Sequence, residues 1–170
     1  MDNPPRHFTR RQALALIAAA LATTATQGAV ALAVDGDGAP AATTALADTF
    51  TAFCDTLVPA DELSPSASAL GVPARILAEV DANPQLQRLV AFSVAWLDQA
   101  AGGAFASADE GLRDAILEAM SNLPWEAPQR RFFDLMRDLV MGYYYSQPAA
   151  LKGMAVDRPP QPAGYFMSLE

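Results

Sequence analysis

Gln129-Arg130-Arg131-Phe132-Phe133-Asp134-Leu135-Met136-Arg137-Asp138-Leu139-Val140-Met141-Gly142-Tyr143-Tyr144-Tyr145 is the stretch that decides the fold. Phe132, Met136, Leu139, Val140 and Tyr143 recur at three- and four-residue spacings and so lie along one side of an α-helix. Asp134 and Asp138 stand one turn apart beside Arg130, Arg131 and Arg137, which reads as a solvated, salt-bridged face. Breaks bound the segment: Pro124 to Pro128 before it, Pro148 after it. Tyr143, Tyr144 and Tyr145 are consecutive, so they fan over about 200° and cannot all face one core. Two readings follow: some pack inside and the rest are incidental, or they anchor an interface, where tyrosine is enriched.

Upstream, the same period recurs four times. From Ala45, the residues Leu46, Phe50, Phe53 and Leu57 form one apolar stripe, and Pro59 ends that helix because the residue before a proline leaves the α region. A polar loop follows from Ala60 to Ser68. Gly71-Val72-Pro73 is a stop and then a start, with Pro73 suited to a first helical turn ahead of Ile76, Leu77 and Val80. Pro84 opens a longer helix carrying Leu86, Leu89, Val90, Val94 and Leu97, closed by Gly102-Gly103. Ser107 and Glu110 have the S-x-x-E spacing of a capping box before Leu112, Ile116, Met120 and Leu123. No alternating run suggests a strand, and no repeat is visible. The expectation is an all-α protein: a single compact bundle of about five helices spanning residues 45–147.

Downstream of Pro148 the chain changes character. Pro159, Pro160, Pro162 and Gly164 forbid a continuous helix, so residues 148–170 are expected to form an extended, proline-rich arm ending near Tyr165 and Phe166.

The N-terminus carries an address. Thr9-Arg10-Arg11 precedes an almost uncharged run from Gln12 to Ala33, ending in Ala31-Leu32-Ala33. Basic region, apolar region and small-residue cleavage site occur in the order of a secretory signal, and the arginine pair points to the twin-arginine route. The rival reading is an uncleaved anchor, which asks for about 20 strongly apolar residues; here alanine, Thr23, Thr24, Thr26, Gln27 and Gly28 dilute the run. The leader is taken as residues 1–33, cleaved between Ala33 and Val34, with 34–44 a flexible spacer and the periplasm the destination. Cleavage after Ala33 leaves 137 of the 170 residues, enough for one domain. It also leaves 8 Lys/Arg against 18 Asp/Glu, a net charge of −10. Such a surface argues against nucleic acid and against direct binding to anionic lipid, and it permits a basic protein partner.

Catalytic constellations fail on residue type. The single histidine, His7, lies in the leader, and the single cysteine, Cys54, can form no intrachain disulfide and reads as a small buried hydrophobe. Acids are scattered rather than clustered for a metal, Asp61 and Glu62 being loop neighbours that point apart. Gly102-Gly103-Ala104 is no dinucleotide fingerprint. No metal, cofactor or catalytic residue is therefore assigned to this chain. A folded-export signal on a domain without a cofactor site suggests a chain that carries a partner. The side chains singled out for that partner are Trp96, Trp125, Tyr143, Tyr144, Tyr145, Pro162, Gly164, Tyr165 and Phe166.

Three blocks carry a family likeness. Phe53-Cys54-Asp55-Thr56-Leu57-Val58-Pro59-Ala60-Asp61 leads to Ala69-Leu70-Gly71-Val72. Phe132-Phe133-Asp134-Leu135-Met136-Arg137 runs on to Gly142-Tyr143-Tyr144-Tyr145-Ser146-Gln147-Pro148. Pro162-Ala163-Gly164-Tyr165 closes the series. In this order they resemble the gluconate 2-dehydrogenase subunit 3 family over about Thr49 to Tyr165. The resemblance implies a non-catalytic small subunit that binds, stabilises and co-exports a large FAD-dependent dehydrogenase subunit of the glucose-methanol-choline type, acting on a sugar or sugar acid. It also implies a haem-bearing cytochrome c as a third subunit in some complexes. The membrane would then be met only through partners. The competing expectation is a free-standing periplasmic helical binding module with a ligand pocket between helices.

Overall fold

The computed structural model describes residues 39–152. Arg10, Arg11, Ala31 and Ala33 of the leader, and Pro162, Gly164, Tyr165 and Phe166 of the arm, lie outside the described residues. Five α-helices make up the body, with no strand among the described residues: α1 (Ala39–Leu57), α2 (Val72–Asp81), α3 (Pro84–Ala101), α4 (Glu110–Ser121) and α5 (Pro128–Tyr145). Short 3₁₀ turns at Ser68–Leu70, Phe105–Ser107 and Pro148–Leu151 join or extend them. The all-α bundle expected from the periodicity is the one observed.

α1 is the axis of the bundle. Thr49, Phe50, Ala52, Phe53 and Cys54 are all buried, so the helix is covered around most of its circumference. It touches each of the other four helices. Its aromatic residues meet α5: the Phe53 ring lies 5.1 Å from Phe132 and 6.5 Å, edge-on, from Phe133, and Phe50 stacks 6.1 Å from Phe53. Such pairs add to area burial at the place where the two helices must register. Cys54 sits within this packing, fully buried, and burial pushes its thiol pKa far above the ordinary 9.0. It behaves as the small hydrophobe that its apolar surroundings suggested.

Punctuation residues set most helix ends. Gly71 and Gly102 take φ of 69° and 71°, the left-handed conformation open to a residue without Cβ. The Asn83 side chain accepts from the Gln85 and Leu86 amides at 3.0 and 3.3 Å, with Pro84 supplying a preset first-turn φ. Asp98 fastens three elements at once, because one carboxylate oxygen accepts from the Thr49 hydroxyl at 2.8 Å and the Phe105 amide at 2.9 Å.

Three boundaries differ from those expected. α1 begins at Ala39, inside the stretch read as spacer, since Ala39-Pro40-Ala41-Ala42 combines a first-turn proline with strong helix formers. The cap of α4 is Asp109, not Ser107: its carboxylate accepts from the Leu112 amide at 2.9 Å, while Ser107 closes the preceding 3₁₀ turn. Leu123 correspondingly falls past the end of that helix. The third difference is at Pro148, where the arm does not start directly; Pro148–Leu151 makes a turn that buries Ala150 completely in the core. Cutting before Pro148 would therefore open the bundle, and the compact body extends at least to Lys152.

Candidate partner-binding surface

The first two of the blocks that carry the family likeness meet in space. The loop after α1 is pinned from two sides. From α1, the Asp55 carboxylate accepts from the Ser68 amide and hydroxyl, both at 2.7 Å. From the end of α5, the Tyr144 hydroxyl donates to the Pro65 carbonyl at 2.6 Å, and the Gln147 amide donates to the Leu70 carbonyl at 3.2 Å. Within the loop, Asp61 accepts from the Leu63 and Ser64 amides, so its carboxylate serves an Asx turn and is not paired with Glu62. Leu63 stands exposed at the tip.

The tyrosine fan resolves into three roles. Tyr144 is only 1% exposed, with its hydroxyl on Pro65, and burial raises its pKa above the ordinary value of 10.0. Tyr143 turns towards α2, where its hydroxyl bonds Glu79 and the Arg75 guanidinium stacks 4.2 Å above its ring. Hydrogen bonding to the Glu79 carboxylate favours the protonated phenol and raises its pKa. Tyr145 is 44% exposed and meets Tyr144 edge-on at 5.0 Å. Tyr144 is thus a core residue, out of a partner's reach.

Trp96 is corrected in the same way. It is 2% exposed, on the inward face of α3 with Ser93, Leu97 and Ala100. Trp125, by contrast, is 61% exposed in the turn between α4 and α5, where its carbonyl accepts from Arg131 at 3.2 Å. Arg131, Leu135, Asp138, Gly142 and Tyr145 then continue along the outward side of α5. Leu135 and Phe92 of α3 are exposed apolar side chains not singled out in the sequence. Leu135 was detectable, since it sits off the Phe132–Met136–Val140 stripe and had no core to face. The neighbouring acids form the expected salt-bridged face: Asp134 pairs with Arg130 at 2.7 Å and Arg137 at 3.3 Å, and Asp138 pairs with Arg137 at 2.9 Å.

Two of the surface depressions are formed by described residues. One, of about 410 Å³, is polar and lies between the end of α1, its following loop and the first turns of α4, with Asp55, Ser66, Glu110 and Arg113 in its wall. The other, of about 250 Å³ and mainly apolar, runs between α2 and α5 and is lined by Arg75, Asp138, Leu139, Gly142, Tyr143 and Ser146. Gly142 is notable there. Glycine inside a helix costs about 0.5–1 kcal/mol relative to alanine, yet a Cβ at this position would meet nothing within 4 Å. Neither depression adjoins a strand–glycine–helix phosphate loop of the kind that holds a dinucleotide, and no group of three metal-ligating side chains exists among the described residues. No described helix is long and apolar enough to cross a membrane. What this surface offers is area and anchors: exposed aromatic and aliphatic side chains on a rigid helix.

The family model described as gluconate 2-dehydrogenase subunit 3 matches residues 45–155, most of the chain, and the protein belongs to that family. The family is that of one subunit of a multi-subunit dehydrogenase, which implies partner subunits. Comparison with curated proteins and with solved structures finds no match to this chain.

Proposed function

We propose that this chain is the non-catalytic small subunit that binds, stabilises and co-exports a large FAD-dependent dehydrogenase subunit of the glucose-methanol-choline type through the twin-arginine route into the periplasm. The observation that carries the reading is the outward side of α5. An exposed tryptophan in the preceding turn is followed by an arginine, a leucine and a tyrosine on a helix whose inner side is locked into the core. Tryptophan, tyrosine and arginine are the residue types in which interface energy concentrates. Family membership adds the expectation of partner subunits. FAD belongs to the large subunit in this reading, and haem c to a cytochrome where one completes the complex. Residues of this chain supply binding surface alone, with Trp125, Tyr143 and Tyr145 joined by the distal Pro162, Gly164, Tyr165 and Phe166.

Arg10 and Arg11 would be the export address for both proteins, because folded export moves an assembled pair as readily as one chain. Co-expression of the two subunits with Arg10→Lys and Arg11→Lys tests the proposal. Both should stay in the cytoplasm; a large subunit that still reaches the periplasm refutes the carrier role. A free-standing binding module would instead leave the large subunit's location untouched and would not co-purify with it.

A further inference from the structure

The polar cleft between the end of α1, its following loop and α4 contains an arginine without a partner. Arg113 lines the cleft, its Nε–H is buried, and no acceptor meets that donor among the described residues. Folded proteins leave few buried donors unpaired. The guanidinium also forms no ion pair among the described residues. Asp55, in the wall contributed by α1, is not free to serve it, because its two oxygens accept from the Ser68 amide and hydroxyl. On the α4 side Glu110 and Asp114 stand exposed, and neither forms an ion pair among the described residues. They lie one helical turn apart, a spacing at which like charges repel. One cleft thus combines a buried donor that lacks an acceptor with two carboxylates that lack a cation.

We infer that this cleft seats a basic side chain of the large subunit together with a peptide carbonyl next to it. The identity of the occupant rests on the partner proposal, and its chemistry rests on the cleft. The carbonyl oxygen accepts from the Arg113 Nε–H, while the lysine or arginine head lies against Glu110 and Asp114. Pro59 and Ala60 give the wall an apolar section, and the aliphatic stems of such side chains pack along surfaces of that kind. Charge decides for a cation. Three carboxylates, those of Asp55, Glu110 and Asp114, against one guanidinium leave the wall at −2. The whole chain carries −8, which draws basic surfaces towards it. An anion would satisfy Arg113 but would have to approach three carboxylates. The volume of about 410 Å³ falls in the range of about 300–1,000 Å³ that binding clefts occupy. Trp125, Leu135 and Tyr145 are not among the residues lining the cleft, so it is a second point of attachment beside the outward side of α5.

Binding of the full chain to the co-expressed large subunit tests it. Glu110→Gln combined with Asp114→Asn should weaken association about tenfold and flatten its dependence on salt, with the helical circular-dichroism signal kept. Glu118→Arg changes the net charge by the same amount on an exposed part of α4 outside the cleft, and it should leave association as in the wild type. Arg113→Lys, which keeps the charge and removes the Nε–H, should weaken association as well. Wild-type association by the Glu110→Gln, Asp114→Asn variant overturns the inference while leaving the partner proposal standing. An equal loss with Glu118→Arg also overturns it, by assigning the effect to overall charge. A wild-type chain that does not associate with the large subunit overturns both. A partner-free measurement checks the chemistry separately: the Arg113 Nε–H resonance should shift on adding Nα-acetylarginine methylamide and stay in place with the glutamate analogue. No shift with either compound, or a shift with the glutamate analogue alone, overturns the assignment of a basic occupant.

Discussion

Replacing Tyr144 by phenylalanine isolates one bond. The ring remains, with its burial and its edge-on contact to Tyr145, while the hydroxyl that donates to the Pro65 carbonyl at 2.6 Å disappears. A buried acceptor left unpaired costs about 1–3 kcal/mol. Pro65 is only half-buried, so water can replace part of the loss, and the expected cost is about 1–2 kcal/mol. For a helical body of this size each kcal/mol lowers Tm by about 4 °C, which gives a drop of about 4–8 °C in a circular-dichroism melt. The loss should also be local. Amides between Val58 and Gly71 should exchange faster than those of α3 and α4, because Asp55 and Gln147 are then the remaining pins. An unchanged Tm with unchanged loop protection would refute the reading of Tyr144 as a structural pin and return it to the candidate interface.

Three further outcomes are expected. Asp109→Ala should destabilise the chain by about 1 kcal/mol and Ser107→Ala by much less, in urea titrations, because only Asp109 caps α4. Trp125→Ala should leave Tm unchanged and weaken association with the large subunit by about 2 kcal/mol or more in a binding assay, whereas Trp96→Ala should cost about 3–5 kcal/mol of stability. Above pH 9 the unfolded chain loses the Cys54 proton that the folded chain keeps, so stability is full below the ordinary thiol value and falls as pH rises. That difference amounts to about 1.4 kcal/mol between pH 8 and pH 10, and comparing unfolding free energies at the two pH values for wild type and Cys54→Ala should show a smaller drop in the variant.

The helices were legible because prolines and glycines mark their ends in one dimension: Pro59, Pro73, Pro84 and Pro128, with Gly71 and Gly102, each act on their own backbone. The capping error at α4 arose because Ser107 and Asp109 both precede the helix, and the choice depended on Asp98, nine residues before Ser107, which claims the Phe105 amide and builds the intervening turn. Burial within the tyrosine run was legible in the spacing, because Tyr144 extends the Phe132–Met136–Val140 stripe by one more turn. The bonds of Tyr144 to Pro65 and of Tyr143 to Glu79 were not, since they come from other elements. Trp96 could have been placed, since Ser93, Trp96, Leu97 and Ala100 make an inward stripe once alanine and serine are allowed to count as core residues.

The loop after α1 has one last consequence, in time rather than space. Its anchors on Pro65 and Leu70 come from residues 79 and 77 positions further along the chain. Contacts at such separation close only after the intervening segments have been made and brought together. During synthesis the exposed tip at Leu63 therefore has only its local fastenings, the Asp61 turn and the Asp55 bonds to Ser68, until Tyr144 and Gln147 arrive. The final posture of this loop, early in the body, thus depends on residues made near its end.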